Sequence, residues 1–168
     1  LPKRPLFLEA RGLTAAERGD AVHAFLRAVP LDAEDLPAVR RALVGRGVLS
    51  PEQADALPMP RLSRCLKSPL WDRMRAAPAL RREWPFILRL SEGGESTLLQ
   101  GVIDCCFLEE GAWVLVDYKT DRAHDVPALI AQYTPQLALY ARALSDITGI
   151  PVKERVLFLL EKEQGFAL

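Results

Sequence analysis

The chain has 168 residues, 49% of them apolar, with 22 basic side chains against 22 acidic ones. That is one ordinary domain's worth of core, burying roughly 70% of the unfolded surface, and it excludes collagen-like, mucin-like or disordered chains and a uniformly basic coat for nucleic acid. No apolar run reaches the ~18 residues of a membrane span, and Leu1-Pro2-Lys3-Arg4-Pro5 has neither an initiator Met nor an apolar stretch behind its charges, so we expect a piece of a longer protein without a signal peptide.

In chain order, the first predicted element is a helix from about Thr14 to Val29. Thr14 and Glu17 form a T-x-x-E capping box, Val22, Phe25, Leu26 and Val29 recur at helical spacing, and Pro30 closes it. Residues 30–60 read as a helical insert, with Ser50-Pro51-Glu52-Gln53 as a second helix start and Ser68-Pro69 as a third of the same kind. Then the character changes. Pro85 to Leu90, Thr97 to Phe107 and Ala112 to Lys119 are rich in β-branched and aromatic residues, with turns at Gly93-Gly94 and Glu110-Gly111. A helix from about Pro127 to Thr148 follows, its apolar side including Leu129, Ile130, Tyr133, Leu137, Tyr140 and Leu144. A last strand, Arg155 to Leu160, comes after Gly149-Ile150-Pro151. This order predicts an α/β (α+β mixed) chain: a central mixed sheet flanked by helices, with residues 1–80 as a helical N-terminal part and 81–168 as the sheet core of a single domain. Cys65, Cys105 and Cys106 are an odd number, expected to be buried reduced thiols; they are too few for the four ligands of an iron–sulfur cluster.

Two strands apolar on both faces each carry a carboxylate: Asp104 in VIDCCF and Asp117 in VLVDYK. If Glu110-Gly111 is a two-residue hairpin turn, Asp104 stands directly opposite Asp117, with Cβ atoms about 5 Å apart on one face. Lys119 shares that face and Tyr118 points the other way. Two carboxylates so close in an apolar setting need a cation. A divalent metal supplies it, and so does a structural Asp–Lys–Asp cluster; spacing alone leaves both open. The chemistry that uses such a set is phosphodiester hydrolysis, with carboxylates holding a metal at the phosphate and a lysine positioning the attacking water.

At these residues the sequence resembles a known family. GVIDCCF, WVLVDYKTD and QLALY, together with RPLFLEARGLTAAERGDAVHAFL, REWPFIL and GIPVKERVLFLL, resemble the RecB-family nucleases of the P-D-(D/E)-x-K superfamily. The likeness is closest to the C-terminal nuclease domain of AddA-type helicase–nucleases and runs through nearly the whole chain. It implies a restriction-endonuclease-like core. It also implies Asp104 and Asp117 as metal ligands, Lys119 as catalytic, and the Tyr118 carbonyl and His23 in the same metal shell. Glu83 of E-x-P-F becomes a supporting ligand, and Gln136 and Tyr140, i and i+4 on one helix, an edge of the catalytic site. Gly19, one turn before His23, would let that helix approach a sheet closely. Where the family commonly has Gly-Thr this chain has Gly19-Asp20, and His124 matches no family position.

The implied cofactor is Mg²⁺, with Mn²⁺ able to substitute and no iron–sulfur cluster. The implied activity is that of a deoxyribonuclease, an exonuclease on the 3′-ended strand in double-strand-break repair by homologous recombination. No G-x-x-x-x-G-K-[ST] occurs, so ATP enters only through helicase domains upstream in the same polypeptide. The implied partners are single-stranded DNA ends and an AddB-type subunit, with no membrane, in the bacterial cytoplasm near the nucleoid. Two other readings are a stand-alone RecB-like single-strand nuclease and a non-catalytic docking module of the same fold; the intact D…D-x-K set argues against the second. Between Arg61 and Arg89, eight basic residues against two acidic ones give a local formal charge of +6, either a phosphate-tracking groove or a solvated surface.

Overall fold

The structure, a computed structural model, describes residues 12–168, which contain six helices and five strands. The expectations for Leu1–Arg11 lie outside these residues. The chain divides into two compact units, one ending at Met59 and one running from Pro60 to Leu168.

The first unit is helical: α1 (Ala15–Ala28), α2 (Leu36–Gly45) and α3 (Pro51–Ala56) pack on one another. The capping signals act as read. Thr14 Oγ1 accepts from the Glu17 amide (3.2 Å) while the Glu17 carboxylate accepts from the Thr14 amide (2.7 Å), and Ser50 and Gln53 make the same reciprocal pair. Ala21, Val22, Phe25 and Leu26 form the buried side of α1.

The second unit holds α4 (Met59–Cys65), α5 (Pro69–Ala76), β1 (Leu80–Glu92), β2 (Glu95–Glu109), β3 (Ala112–Lys119), α6 (Val126–Thr148), β4 (Val152–Leu159) and β5 (Gln164–Ala167). The strands form one sheet in sequence order; β3 and β4 run parallel and every other neighbouring pair antiparallel, the mixed sheet expected. The crossover helix α6 covers one face, where Ala143 and Leu144 meet Ile103, Cys106, Trp113 and Leu115, and Leu137 meets Leu157 and Leu159. Against the other face lies α5, whose Arg73 sits 5.5 Å from the centre of the Phe107 ring.

Several boundaries differ from the sequence expectation. The first two strands extend well beyond their apolar cores, because β1 and β2 continue as a long, largely exposed hairpin past the end of β3. The fifth strand, QGFA, is too short and too poor in β-formers to announce itself. It forms because the edge of β4 needs a partner for its backbone groups. Ser68 caps α5 by position only: its hydroxyl makes no cap bond and is buried without a hydrogen-bond partner. All three cysteines are free and buried, and burial pushes each thiol up to about 12, so they are poor nucleophiles.

The basic tract is neither a bare groove nor a uniformly solvated surface, because much of it is paired within the unit. Arg64 grips Glu163 through two bonds of 2.8 and 2.6 Å, Arg75 pairs with Asp72, and Arg73 bridges Glu109 of β2 to Glu154 of β4. Lys153 adds a further 2.7 Å contact to Glu109. Its hydrogen bonds to Arg73 and Lys153 hold the Glu109 carboxyl at about 2, below the ordinary 4.5. A depressed folded-state pKa gives stabilisation that is present above the unfolded value and is lost as pH falls toward the folded one. Glu109→Gln is therefore expected to lower Tm at pH 7, with its deficit against wild type shrinking as pH falls from about 5 to about 2. Thermal melts of both proteins across that window check the sign; a deficit constant with pH would remove the ion pair as the cause.

Candidate active site

The β2–β3 hairpin sets the register of the site. Glu110 (φ 53°) and Gly111 (φ 78°) both take the left-handed conformation that a two-residue hairpin turn needs. Glu109 consequently faces Ala112, and the ladder runs from there to Cys105 opposite Val116. The next step of that register puts Asp104 opposite Asp117.

The ladder stops at that step, because Asp104 leaves the regular pleat. Its Oδ2 accepts from the Tyr118 amide at 2.9 Å. On the β1 side the pairing is also interrupted between Arg82↔Cys105 and Trp84↔Ile103, where Glu83 would stand opposite Asp104. Glu83 has φ 49°, an uncommon value for a residue with a side chain. Ile103 and Cys106, an odd number of residues apart, both face the apolar cluster beneath α6, so the pleat changes phase at this point. Glu83, Asp104 and Asp117 thus occupy successive positions of one row across three adjacent strands, and two of the three sit in irregular backbone.

Asp117 is the one charged residue among the buried side chains of the described residues, 5% exposed, and Lys119 Nζ lies 2.9 Å from its Oδ2. Burial opposes the charge on Lys119, but the adjacent Asp117 carboxylate outweighs it and raises the lysine above its ordinary 10.5. Tyr118 points to the opposite face, edge-on to Phe158 at 6.2 Å, and burial followed by the neighbouring Cys105 raises its phenol well above 10.

On α6, Gln136 Nε2 donates to the Tyr140 hydroxyl at 3.3 Å, and the Tyr140 ring meets Phe86 of β1 edge-on at 5.0 Å. Gly101 makes room for this contact: a Cβ there would lie 2.8 Å from the Tyr140 hydroxyl and 3.0 Å from the Phe86 ring. Tyr140, hydrogen-bonded to Gln136, thus packs α6 against Phe86 of β1 beside Gly101 of β2, three residues along the strand from Asp104. His124 and Asp20 are exposed. In the first unit, His23 Nδ1 lies 3.0 Å from the Gly19 carbonyl oxygen. A carbonyl only accepts, so Nδ1 is the donor in this contact.

Two residues that sequence reasoning left out join this group. Tyr133 of α6 places its ring 4.4 Å from Lys119 Nζ, and its hydroxyl donates to Asp121 Oδ2 at 3.2 Å. Tyr133 reads in sequence as one more apolar position of the helix; the available signal was its place one turn ahead of Gln136 on the Tyr140 side.

Among the described residues no three His, Cys, Asp or Glu side chains converge as a ready-made metal cage. The donors at the Asp104–Asp117 step are two carboxylates and neighbouring backbone carbonyls. That set fits a hard divalent cation, which takes one or two carboxylates and completes its shell with water and phosphate oxygens.

Known proteins share this sequence pattern. The family described as the PD-(D/E)XK nuclease superfamily matches residues 2–165. Relatives named as the A-type chain of an ATP-dependent helicase/nuclease are 38% identical in Acetivibrio thermocellus, over 95% of this chain and 14% of theirs, and 40% identical in Heliobacterium modesticaldum, over 98% and 13%. The homologue of the same name from Alkaliphilus oremlandii is 35% identical over the full chain and 16% of its own length. The chain thus spans about one seventh of the length of the curated relatives it matches. With the match running from end to end through the D…D-x-K strands, the chain belongs to the PD-(D/E)XK nuclease superfamily.

Proposed function

We propose that this chain is a metal-dependent deoxyribonuclease domain that hydrolyses phosphodiester bonds, the nuclease part of an AddAB-type helicase–nuclease acting in double-strand-break repair by recombination. The observation that supports it most is Lys119 on the buried Asp117 carboxylate near the end of β3, with Asp104 of β2 bonded to the Tyr118 amide one register step beyond the Cys105–Val116 pair. Asp104, Asp117 and the Tyr118 carbonyl would hold Mg²⁺ or Mn²⁺, which would supply Lewis-acid polarisation of the scissile phosphate and a more acidic water. The Tyr118 amide donates to Asp104 Oδ2, which ties the β2 carboxylate to the β3 backbone beside Asp117. Lys119 orients the attacking water and offsets charge developing on the phosphate. Glu83 supports the row from β1, and Gln136 with Tyr140 borders it from α6.

The helicase/nuclease names of its relatives point to a nucleic-acid substrate, which we read as DNA: single-stranded ends from unwound duplex, degraded exonucleolytically on the 3′-ended strand. The partners are helicase domains of the same polypeptide, which supply ATP-driven unwinding, and an AddB-type subunit, in the bacterial cytoplasm close to the nucleoid. No helix among the described residues is long and apolar enough to cross a membrane. As expected results, end-labelled oligonucleotide is cut with Mg²⁺ or Mn²⁺ and left intact in chelator, and labelling each end in turn reports polarity. A chain that binds DNA but never cuts it in any divalent metal would instead be a docking module.

His23 enters as a further ligand on its family resemblance. One imidazole in an otherwise oxygen shell favours manganese, because magnesium prefers oxygen alone. Mn²⁺ is expected to support cleavage at lower concentration than Mg²⁺, and His23→Ala to remove that advantage. Rates against metal concentration for both proteins decide it; an unchanged Mn²⁺ preference in the mutant would leave His23 a purely structural residue.

A further inference from the structure

Lys119 is held from two sides. The Asp117 carboxylate is 2.9 Å from its ammonium, and the Tyr133 ring lies 4.4 Å away. An ammonium over a tyrosine face is attracted by the ring quadrupole, by about 0.5–2 kcal/mol according to how dry the site is. The ring is itself fixed: its hydroxyl donates to Asp121, two residues beyond Lys119, and its flank packs with the Leu137, Leu157 and Leu159 cluster. Helix α6 therefore holds the lysine through a ring that the loop after β3 fixes in turn.

A metal bound at Asp117 competes with the ammonium for that carboxylate, because an oxygen lone pair directed at a cation is no longer available to Lys119. The ring contact asks nothing of Asp117 and survives such competition. We propose that Tyr133, locked by Asp121, is a positioning residue that keeps the Lys119 ammonium aimed into the site when Asp117 is engaged elsewhere. The proposal rests on the nuclease reading above, and it assigns Tyr133 no contact with DNA.

The test uses a labelled single-stranded oligonucleotide with Mg²⁺, and NMR of the lysine side chain. Tyr133→Leu, which keeps an apolar side chain in the cluster, is expected to lower kcat by about 10- to 100-fold, the scale of a misplaced catalytic group. KM for the oligonucleotide and the Mg²⁺ requirement should stay within about twofold, since neither ligand is touched. Tyr133→Phe keeps the ring and should remain within about threefold of wild type. In a Lys119→Ala background, Tyr133→Leu should change the residual rate no further, because the residue acts through the lysine. Independently of cleavage, the ring current of Tyr133 should shift the Lys119 ε-methylene protons upfield in wild type and Tyr133→Phe and not in Tyr133→Leu.

A raised KM with unchanged kcat would place Tyr133 against the DNA and overturn the proposal. So would additive losses in the double mutant, or a lysine shift that survives Tyr133→Leu. If Lys119→Ala itself cuts like wild type, the lysine has no catalytic role and the proposal falls with it; if wild type cuts in no divalent metal, the nuclease reading fails instead, and the NMR shift still reports whether ring and lysine are in contact.

Discussion

Asp117→Ala is expected to reduce hydrolysis by on the order of 10³-fold or more and to weaken metal binding, whereas Lys119→Ala should reduce hydrolysis comparably and leave metal binding largely intact. The difference follows from the two roles. Asp117 is a buried side chain whose oxygens are donors to a cation; without it only Asp104 remains of the two facing carboxylates. Loss of a direct ligand should weaken affinity at least as much as the roughly 10- to 100-fold known for groups that only orient ligands. Lys119 is a cation and cannot be a ligand. Its removal takes positive charge away from the site, so metal affinity should hold or rise slightly while catalysis collapses. Calorimetric titration with Mn²⁺, paired with oligonucleotide cleavage by each variant, makes the comparison. Equal loss of affinity in both variants would show that Lys119 supports the ligand shell rather than the reaction.

Phe107→Ala is the substitution expected to cost most stability. Phe107 is fully buried on β2, between Leu80 of β1 and Val114 of β3, and Arg73 of α5 stacks on its ring. Truncating a buried Phe leaves a cavity that the sheet cannot close by moving, at a cost of about 3–5 kcal/mol. For a chain of this size that lowers Tm by roughly 10 °C. Phe107→Leu retains most of the volume and should lose well under half as much. Phe107 is on the face opposite α6, so the folded fraction of Phe107→Ala should still bind Mn²⁺ as wild type does. Thermal melts and metal titration at about 10 °C, well below the lowered melt, separate the two effects. A melt unchanged by Phe107→Ala would mean that the back layer contributes little to holding the sheet.

The turn chemistry made the register of the candidate site legible in the sequence. Glu110-Gly111 between two apolar runs admits few alternatives, and a one-residue slip would have turned every side chain of β3 to the wrong face. Counting outward from that turn puts Asp104 beside Asp117, and pleat alternation puts Lys119 on the same side. Helix starts were equally local, since Thr14 with Glu17 and Ser50 with Gln53 satisfy backbone amides within a single turn. Ser68 shows the limit of such a signal, its hydroxyl lying buried without a cap bond.

By itself, then, the sequence determined the hairpin and its Asp104–Asp117 register, the starts of α1, α3, α5 and α6 and the mixed order of elements, because each depends on residues within a few positions of one another. The tertiary structure decided which partners those elements find across the chain. Arg73 turned from a candidate phosphate contact into a clamp between Glu109 and Glu154, since a long guanidinium beside two carboxylates is held more strongly by them than by water. Glu83 took a left-handed backbone that no periodicity announces, because the ladder breaks where Asp104 turns aside to the Tyr118 amide. Tyr133 reached Lys119 only because the crossover helix lies back along the sheet beside the strand it follows. That placement comes from burying the Leu137 and Leu144 side of α6, and hydrophobic burial is non-directional, so the local sequence could not say which polar group would end beneath the ring.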